Sequence, residues 1–318
     1  MRRLALIDIG TNTFHLLIVE VGADGQPKTL YKTKVPVKLG QGGISKGEIL
    51  PDARERALKT LAEFRATMDE YGVQVVRATA TSAMRNASNG PQLVEDFKAH
   101  SGIEVEVISG AREAELIYKG VQQALQVGPK SGLVMDIGGG SVEFIIGNDK
   151  GIRWKKSFEI GAQRLLDKFY PDQEQPISPE QVKQLRSYLN DQLQKLTAAV
   201  LKYQPEFLIG SSGTFDTLVD MDLARRGLPA RNEDASPEME VSINSFAEMY
   251  KEILRKGRAE RLAIPGMLEM RVDMIVVACV VIDWAIEKFN LEHIRVSAFA
   301  LKEGMLAELI EVGMRSEV

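Results

Sequence analysis

The chain has one cysteine and three histidines among 318 residues. One thiol excludes an internal disulfide framework and fits a reducing compartment. Its setting, Val-Val-Ala-Cys279-Val-Val, reads as a buried helix face, a packing position rather than a reactive one. His15 follows the first loop on a strand, where packing accounts for it. His100 ends a helix, where a cation complements the dipole. Long apolar runs are also missing: Met274 to Ile282 is far too short to span a bilayer, and no signal-peptide pattern precedes the first strand. The net charge of −4 gives no global field toward nucleic acid or a membrane. The sequence has no G-x-x-x-x-G-K-[ST] and no G-x-G-x-x-G between a strand and a helix, so neither a Walker site nor a dinucleotide fold is supported. No low-complexity tract or short repeat occurs. The expectation is a cytoplasmic protein with no nucleic-acid or membrane partner. An anionic substrate would need local basic residues.

What is present is ordinary globular composition, 44% hydrophobic and 26% charged, in a chain long enough for two domains. Two short glycine-rich segments stand out within it. Asp8-Ile9-Gly10-Thr11-Asn12-Thr13 follows the apolar run Leu4 to Ile7 and precedes Phe14 to Val19. Asp136-Ile137-Gly138-Gly139-Gly140-Ser141 follows Leu133 to Met135 and precedes Phe144 to Ile146. Each unit reads as strand, Asp-x-Gly turn with hydroxyl residues, strand. Glycine admits close approach of an anion, and successive N–H groups in such a turn form an anion-binding concavity. A carboxylate at its head makes sense if a divalent cation bridges it to phosphate. One copy alone would be an ordinary hairpin turn; the second copy shifts the reading toward function.

The pattern along the chain alternates strands and helices. A strand over Leu30–Leu39 is expected to end in the loop 40–43. A helix is expected over Pro51–Glu70, from apolar positions Ala57, Leu58, Leu61, Ala62, Phe64 and Met68. Strands at Val73–Thr79 and Ile103–Ile108 flank a helix at Pro91–Ala99, and a helix follows at Ala111–Leu125. The second half starts with strands 131–136, 142–147 and 152–158. A long charged helix, Pro179–Tyr203, follows a turn-rich stretch. A short strand, Phe207–Ile209, enters Gly210-Ser211-Ser212-Gly213-Thr214, with a helix from Phe215. Arg225–Pro237 is polar and carries Gly and Pro, so it is expected to be a mobile loop. Helices at Asn244–Lys256 and Val272–Phe289, a strand at Ile294–Val296 and a helix at Ala298–Glu311 complete the pattern. Two α/β halves, each opening with the same hairpin, suggest duplicated domains on either side of a cleft.

At this level the chain resembles the exopolyphosphatase and guanosine pentaphosphate phosphohydrolase family. Beyond the two hairpins, the resemblance rests on Ala80-Thr81-Ser82-Ala83-Met84-Arg85-Asn86, Ile108-Ser109-Gly110 with Glu113-Ala114, Gly161-Ala162-Gln163-Arg164-Leu165, Gly210-Ser211-Ser212-Gly213-Thr214, Arg271-Val272-Asp273 and Ser297-Ala298-Phe299-Ala300-Leu301-Lys302-Glu303-Gly304. It implies an α/β fold of two duplicated actin-like (ribonuclease H-like) domains with mixed sheets flanking a central cleft. The domains would be 1–116 with 299–318, and 117–298, with hinges near 116–121 and 296–300. Long family members carry a further C-terminal region with an HD-type domain. This chain has no His-Asp pair and resembles a short form, which bears on long-chain grip and on a homodimer.

The resemblance implies a hydrolase that releases orthophosphate from the end of inorganic polyphosphate, of guanosine pentaphosphate, or of both. It places the general base at Glu113; a helix-N-terminal glutamate favoured by the macrodipole is the alternative from the residue alone. It places Mg²⁺, with Mn²⁺ as a substitute, at Asp136, Glu143 and Asp8, although Mg²⁺ usually takes only one or two carboxylates. Thr11, Asn12, Thr13, Arg85, Gly138, Gly139, Gly140 and Ser141 would hold phosphates, and Ser211, Gly213 and Thr214 the distal substrate. Lys38, Arg164, Arg271 and Lys302 are further candidates for polyanion contact, with surface charge or structural ion pairs as the alternative. Arg112 stands before Glu113 where relatives frequently carry an acid. Two other readings stay open: an ATP-dependent kinase or ATPase of the same fold, and a non-catalytic polyphosphate or alarmone sensor.

Overall fold

The computed structural model describes residues 2–22, 25–232 and 235–316. The chain divides into two compact units, 1–120 with 301–318, and 121–300.

The first unit contains β1 (Arg2–Ile9), β2 (Phe14–Val21), β3 (Pro27–Val35), α1 (Pro51–Glu70), β4 (Val75–Ala80), α2 (Ser82–Asn86), α3 (Gly90–Ser101), β5 (Val105–Val107) and most of α4 (Gly110–Ala124). The sheet order is β3-β2-β1-β4-β5, antiparallel through the first three strands and parallel thereafter. β1 is the central strand, and its Leu4-Ala5-Leu6-Ile7 run is buried on both faces, as parallel-paired interior strands require. α1 buries Ala53, Ala57, Leu61, Phe64 and Met68, an apolar stripe at helical spacing.

The second unit contains β6 (Gly132–Ile137), β7 (Val142–Asn148), β8 (Gly151–Phe158), α5 (Ala162–Phe169), α6 (Pro179–Gln192), α7 (Gln194–Tyr203), β9 (Phe207–Ser211), α8 (Gly213–Arg225), β10 (Glu238–Val241), α9 (Ile243–Arg255), α10 (Arg258–Leu262), α11 (Met274–Phe289) and β11 (Ile294–Ser297); α12 (Leu301–Ser316) returns to the first unit. Its sheet order is β10-β11-β9-β6-β7-β8. Taken from the β8 edge, β8-β7-β6-β9-β11 repeats the order and strand directions of β3-β2-β1-β4-β5, with β10 added antiparallel at the far edge. That repetition is the duplicated, actin-like topology the resemblance implied. α11 is apolar around most of its circumference and almost wholly buried; Cys279 lies within it, where burial pushes its thiol up.

Several elements depart from expectation for local reasons. The third strand ends at Val35 rather than Leu39. Pro36 has no N–H to donate, and Lys38 turns to φ 53° and gives its amide to the Asn12 carbonyl. The helix expected over 179–203 is two helices meeting at Leu193 (φ −101°, ψ 21°), a break that no glycine or proline marks. α5 and β10 were not expected. Within 225–237, residues 233–234 lie outside the described residues. Arg231 there is tied to Asp216 and Asp220 of α8 at 2.9 and 2.8 Å.

Candidate active site

In the first unit the site grows from the ends of β1 and β4. The Gly10 amide donates to the Thr13 carbonyl at 3.1 Å and closes the turn, leaving Thr11, Asn12 and Thr13 buried. A second loop supports it from outside: the amides of Lys38 and Gly40 each donate at 2.8 Å, to the Asn12 and Thr11 carbonyls. Asp8 sits one residue before the strand end, paired in register with His15 on β2 and Thr79 on β4.

β4 runs through Ala80 into Thr81, the N-cap of α2, whose last turn carries Arg85. Glu113 occupies the first turn of α4 and its amide donates to the Ser109 carbonyl at 2.9 Å. Arg85 Nη1 donates to Glu113 Oε2 at 2.9 Å and to the Ile108 carbonyl at 3.0 Å. Both side chains are largely withdrawn from solvent, 18% and 9% exposed. The structure therefore brings together two of the residues that sequence singled out separately, as a charge-assisted pair that fixes the Glu113 carboxylate. Arg112, one residue earlier, turns away to Glu115 and to Glu308 of α12, so its positive charge is engaged by those acids.

In the second unit Asp136 and Glu143 are direct cross-strand partners, on the sheet face opposite the Met135–Phe144 pair. Asp136 also stands level with Ser211 on β9. Both carboxylates are buried, Glu143 to 1% exposure. Ser157 on β8, the register partner of Glu143, donates its hydroxyl to Glu143 Oε1 at 2.6 Å.

The glycine turn between these strands is held by its carbonyls. Gly138 N donates to Ser141 O, while the amides of Gly161, Ala162 and Gln163 donate to the carbonyls of Gly140, Gly138 and Gly139 at 3.1, 2.9 and 2.8 Å. Arg164 Nε adds a bond to Gly140 O at 2.9 Å, its other arm reaching Glu159. The start of α5 thus engages every carbonyl of the glycine run. Among the described residues no hydrogen bond uses the amides of Gly139 or Gly140. Engaged carbonyls beside two amides with no bond of their own are what an anion nest requires. Gly161 makes it possible, because a Cβ there would stand 2.4 Å from backbone atoms of Gly139 and Gly140.

Ser211 ends β9 and Thr214 is buried in the first turn of α8. The Arg271 guanidinium lies against Gly213, with Nη2 2.1 Å from where a Cβ would stand. Its Nε is buried without a hydrogen-bond partner among the described residues. Burial pushes Arg271 down from the usual arginine value, and the charges of Asp216 and Asp136 work against that shift. Lys302 pairs with Glu303 at 2.9 Å. Among the described residues no three His, Cys, Asp or Glu side chains are grouped to hold a metal ion. Within the second unit Asp136 and Glu143 are a cross-strand carboxylate pair, and one or two carboxylates is what Mg²⁺ ordinarily takes from a protein beside phosphate oxygens.

Two residues of this site were not singled out from sequence. Ser157 follows from placing β8 in register beside β7. Gly161 was quoted only as part of a motif, and its role depends on a contact with a turn twenty residues away.

Residues 17–312 match the model of the Ppx/GppA phosphatase family, and the chain belongs to that family of phosphate-releasing hydrolases. It is 27% identical over 312 residues to Exopolyphosphatase 1 of Mycobacterium leprae, covering 97% of this chain and 90% of that protein. It is 28% identical over 311 residues to a putative exopolyphosphatase of Haemophilus influenzae, covering 97% and 92%. Among solved structures it superposes on an exopolyphosphatase from Cytophaga hutchinsonii with a TM-score of 0.93, 45% identity and 98% of both chains covered. It superposes on the Aquifex aeolicus Ppx/GppA family member at 0.78, with 25% identity and 98% of both chains. No helix among the described residues is long and apolar enough to cross a membrane.

Proposed function

We propose that this phosphatase hydrolyses the terminal phosphoanhydride of inorganic polyphosphate or guanosine pentaphosphate, with Glu113 as general base. The observation that carries the reading is the Arg85–Glu113 pair at 2.9 Å, which fixes a nearly buried carboxylate at the start of a helix. A base must be held in place before it can take a proton in the transition state.

In this reading Glu113 removes a proton from the attacking water as its oxygen bonds to the terminal phosphorus. The bond from that phosphorus to the bridging oxygen breaks, and the shortened chain leaves with the bridging oxygen. Orthophosphate carries the oxygen of the water, and Glu113 returns its proton to solvent. Arg85 and the hydroxyl-bearing turn 11–13 supply donors to phosphate oxygens from the first unit. Within the second unit, the Gly139 and Gly140 amides are candidate donors to a phosphate group, since developing charge is best met by fixed dipoles. Asp136 and Glu143 would hold Mg²⁺, with Ser157 orienting Glu143 and Asp8 a further candidate; the ion supplies charge neutralisation at phosphate oxygen.

The test is time-resolved orthophosphate release, with Mg²⁺ or EDTA, from short polyphosphate, long polyphosphate and guanosine pentaphosphate. Metal-dependent release from at least one of them supports the reading. Silence on all three, with phosphate transferred from ATP to an acceptor, would replace it with the kinase reading. Binding without turnover would replace it with the sensor.

A further inference from the structure

Helix α8 presents Gly213, Asp216 and Asp220 in one row, three and then four residues apart. At that spacing side chains are neighbours on one helix face, so the two acids repel. Arg231, from the segment after α8, lies across them. Its Nε donates to Asp220 Oδ1 at 2.8 Å and its Nη1 to Asp216 Oδ1 at 2.9 Å. Its Nη2 donates to Asp220 Oδ2 and to the Asp216 carbonyl, both at 3.1 Å. One planar fork thus engages both carboxylates, which a point charge could not do.

A second arginine lies at the other end of the row and is left differently. The Arg271 guanidinium rests on Gly213, its Nη2 and Cζ at 2.1 and 2.4 Å from where a Cβ would stand. It fills the side-chain position that neighbours Asp216, and such positions are about 5–6 Å apart. Yet its buried Nε has no hydrogen-bond partner among the described residues, where a buried cation is ordinarily paired. The Arg271 loop follows the same helix, since a Cβ on Gly266 would stand 2.6 Å from the Asp220 backbone. The row is also tied to the carboxylate site. Ser211 is level with Asp136, the Ser212 hydroxyl donates to the Ile137 carbonyl at 3.4 Å, and the Asp216 amide donates to the Ser212 carbonyl at 3.2 Å.

We infer that Arg231 is a positioning residue: by holding Asp216 it keeps that carboxylate from closing on Arg271, and so leaves the Arg271 guanidinium for an anionic group of the substrate. The inference deepens the proposed function and rests on it. Arg231 itself touches no substrate; it acts through Asp216. Without Arg231, Asp216 faces Asp220 with no cation between them, and Arg271 is the cation one helical turn away. A pair formed there would satisfy the buried guanidinium and cancel the charge it offers to a ligand. The latch therefore sets which of two arginines Asp216 neutralises.

The test follows tripolyphosphate hydrolysis, and tripolyphosphate binding with Mg²⁺ and with EDTA. It compares wild type, Arg231→Gln, Arg231→Gln/Asp216→Asn and Arg231→Gln/Asp220→Asn; both double variants keep the wild-type net charge. Arg231→Gln should raise KM and Kd roughly tenfold, the loss of one charge-assisted contact, with kcat within about twofold of wild type. Adding Asp216→Asn should restore KM and Kd, because no carboxylate is left to take Arg271. Adding Asp220→Asn should not, since Asp220 lies a turn further from Gly213. A merely structural latch would be relieved by either change alike. Unchanged KM and Kd in Arg231→Gln overturn the inference, as does rescue by both second changes or by neither. Where Arg231→Gln fails to fold, Arg231→Lys replaces it; lysine cannot span both acids, so the same selective rescue is expected. A wild type that binds tripolyphosphate without hydrolysing it refutes the proposed hydrolysis, and the rescue pattern in Kd still decides the role of Arg231. A wild type that binds none under either condition overturns the inference.

Discussion

The two Asp-x-Gly turns begin from the same strand topology and are completed in different ways. Turn 10–13 of the first unit is filled with side chains, Thr11, Asn12 and Thr13, and supported by the amides of a neighbouring loop at residues 38 and 40. Turn 138–141 of the second unit is nearly bare backbone, its carbonyls engaged by the start of α5. The first unit pairs Glu113 with Arg85; the second carries two cross-strand carboxylates and a serine. Duplication explains the shared topology. The difference lies in what each turn presents: side chains in the first copy, backbone amides in the second.

The most disruptive way to break this contrast is Gly161→Ala. The added methyl meets the Gly139 and Gly140 backbone at 2.4 Å, so the amide nest must shift. Loss of fixed donors at an anionic centre typically costs about a hundredfold or more in rate, and orthophosphate release should fall by at least that much.

Arg85→Gln comes next. It leaves Glu113 nearly buried without its cation, and breaking such a pair costs about 3 kcal/mol, read in urea unfolding together with a ten- to hundredfold loss of kcat. Ser157→Ala removes the hydroxyl bound to Glu143 and should weaken the response to Mg²⁺ roughly tenfold, the usual effect of losing a group that orients a metal ligand. A shift in kcat with no change in the Mg²⁺ titration would refute that role.

The smallest effect is expected at Glu308, which joins α12 to Arg112, Lys119 and Arg77. Burial pushes its carboxyl up. The Arg112 hydrogen bond and the charges of Arg112, Lys119 and Arg77 outweigh that and hold it below the ordinary glutamate value of 4.5. A depressed carboxyl stabilises the fold above its unfolded-state value, and that contribution is lost as pH falls through the folded-state value. Glu308→Gln should therefore cost about 1 kcal/mol at pH 7, with the gap to wild type closing under acid conditions. A gap that widens in acid would reverse the sign of the argument.

Much of the fold was legible because it is written in short-range pattern. The apolar stripe of α1 and the strand-turn-strand units around Gly10 and Gly138 are local signals. Glu113, Arg85, Asp136 and Glu143 were legible as candidates through motif resemblance. The pairing of Arg85 with Glu113 was not, since that bond spans 28 residues and depends on how α2 and α4 leave the sheet. The break at Leu193 has no turn residue to announce it, and Ser157 becomes notable only when β8 is in register with β7. Arg164, a candidate for polyanion contact or a structural ion pair from sequence, bonds Gly140 and Glu159 through Nε and Nη2.

The most direct measurement is single-turnover phosphate release by Glu113→Gln beside wild type, with polyphosphate binding recorded on the same samples. Unchanged binding with a rate lower by about a thousandfold is the predicted result, within the range a positioned general base contributes. A variant that binds and releases phosphate like wild type would contradict the assignment of the base to the first unit.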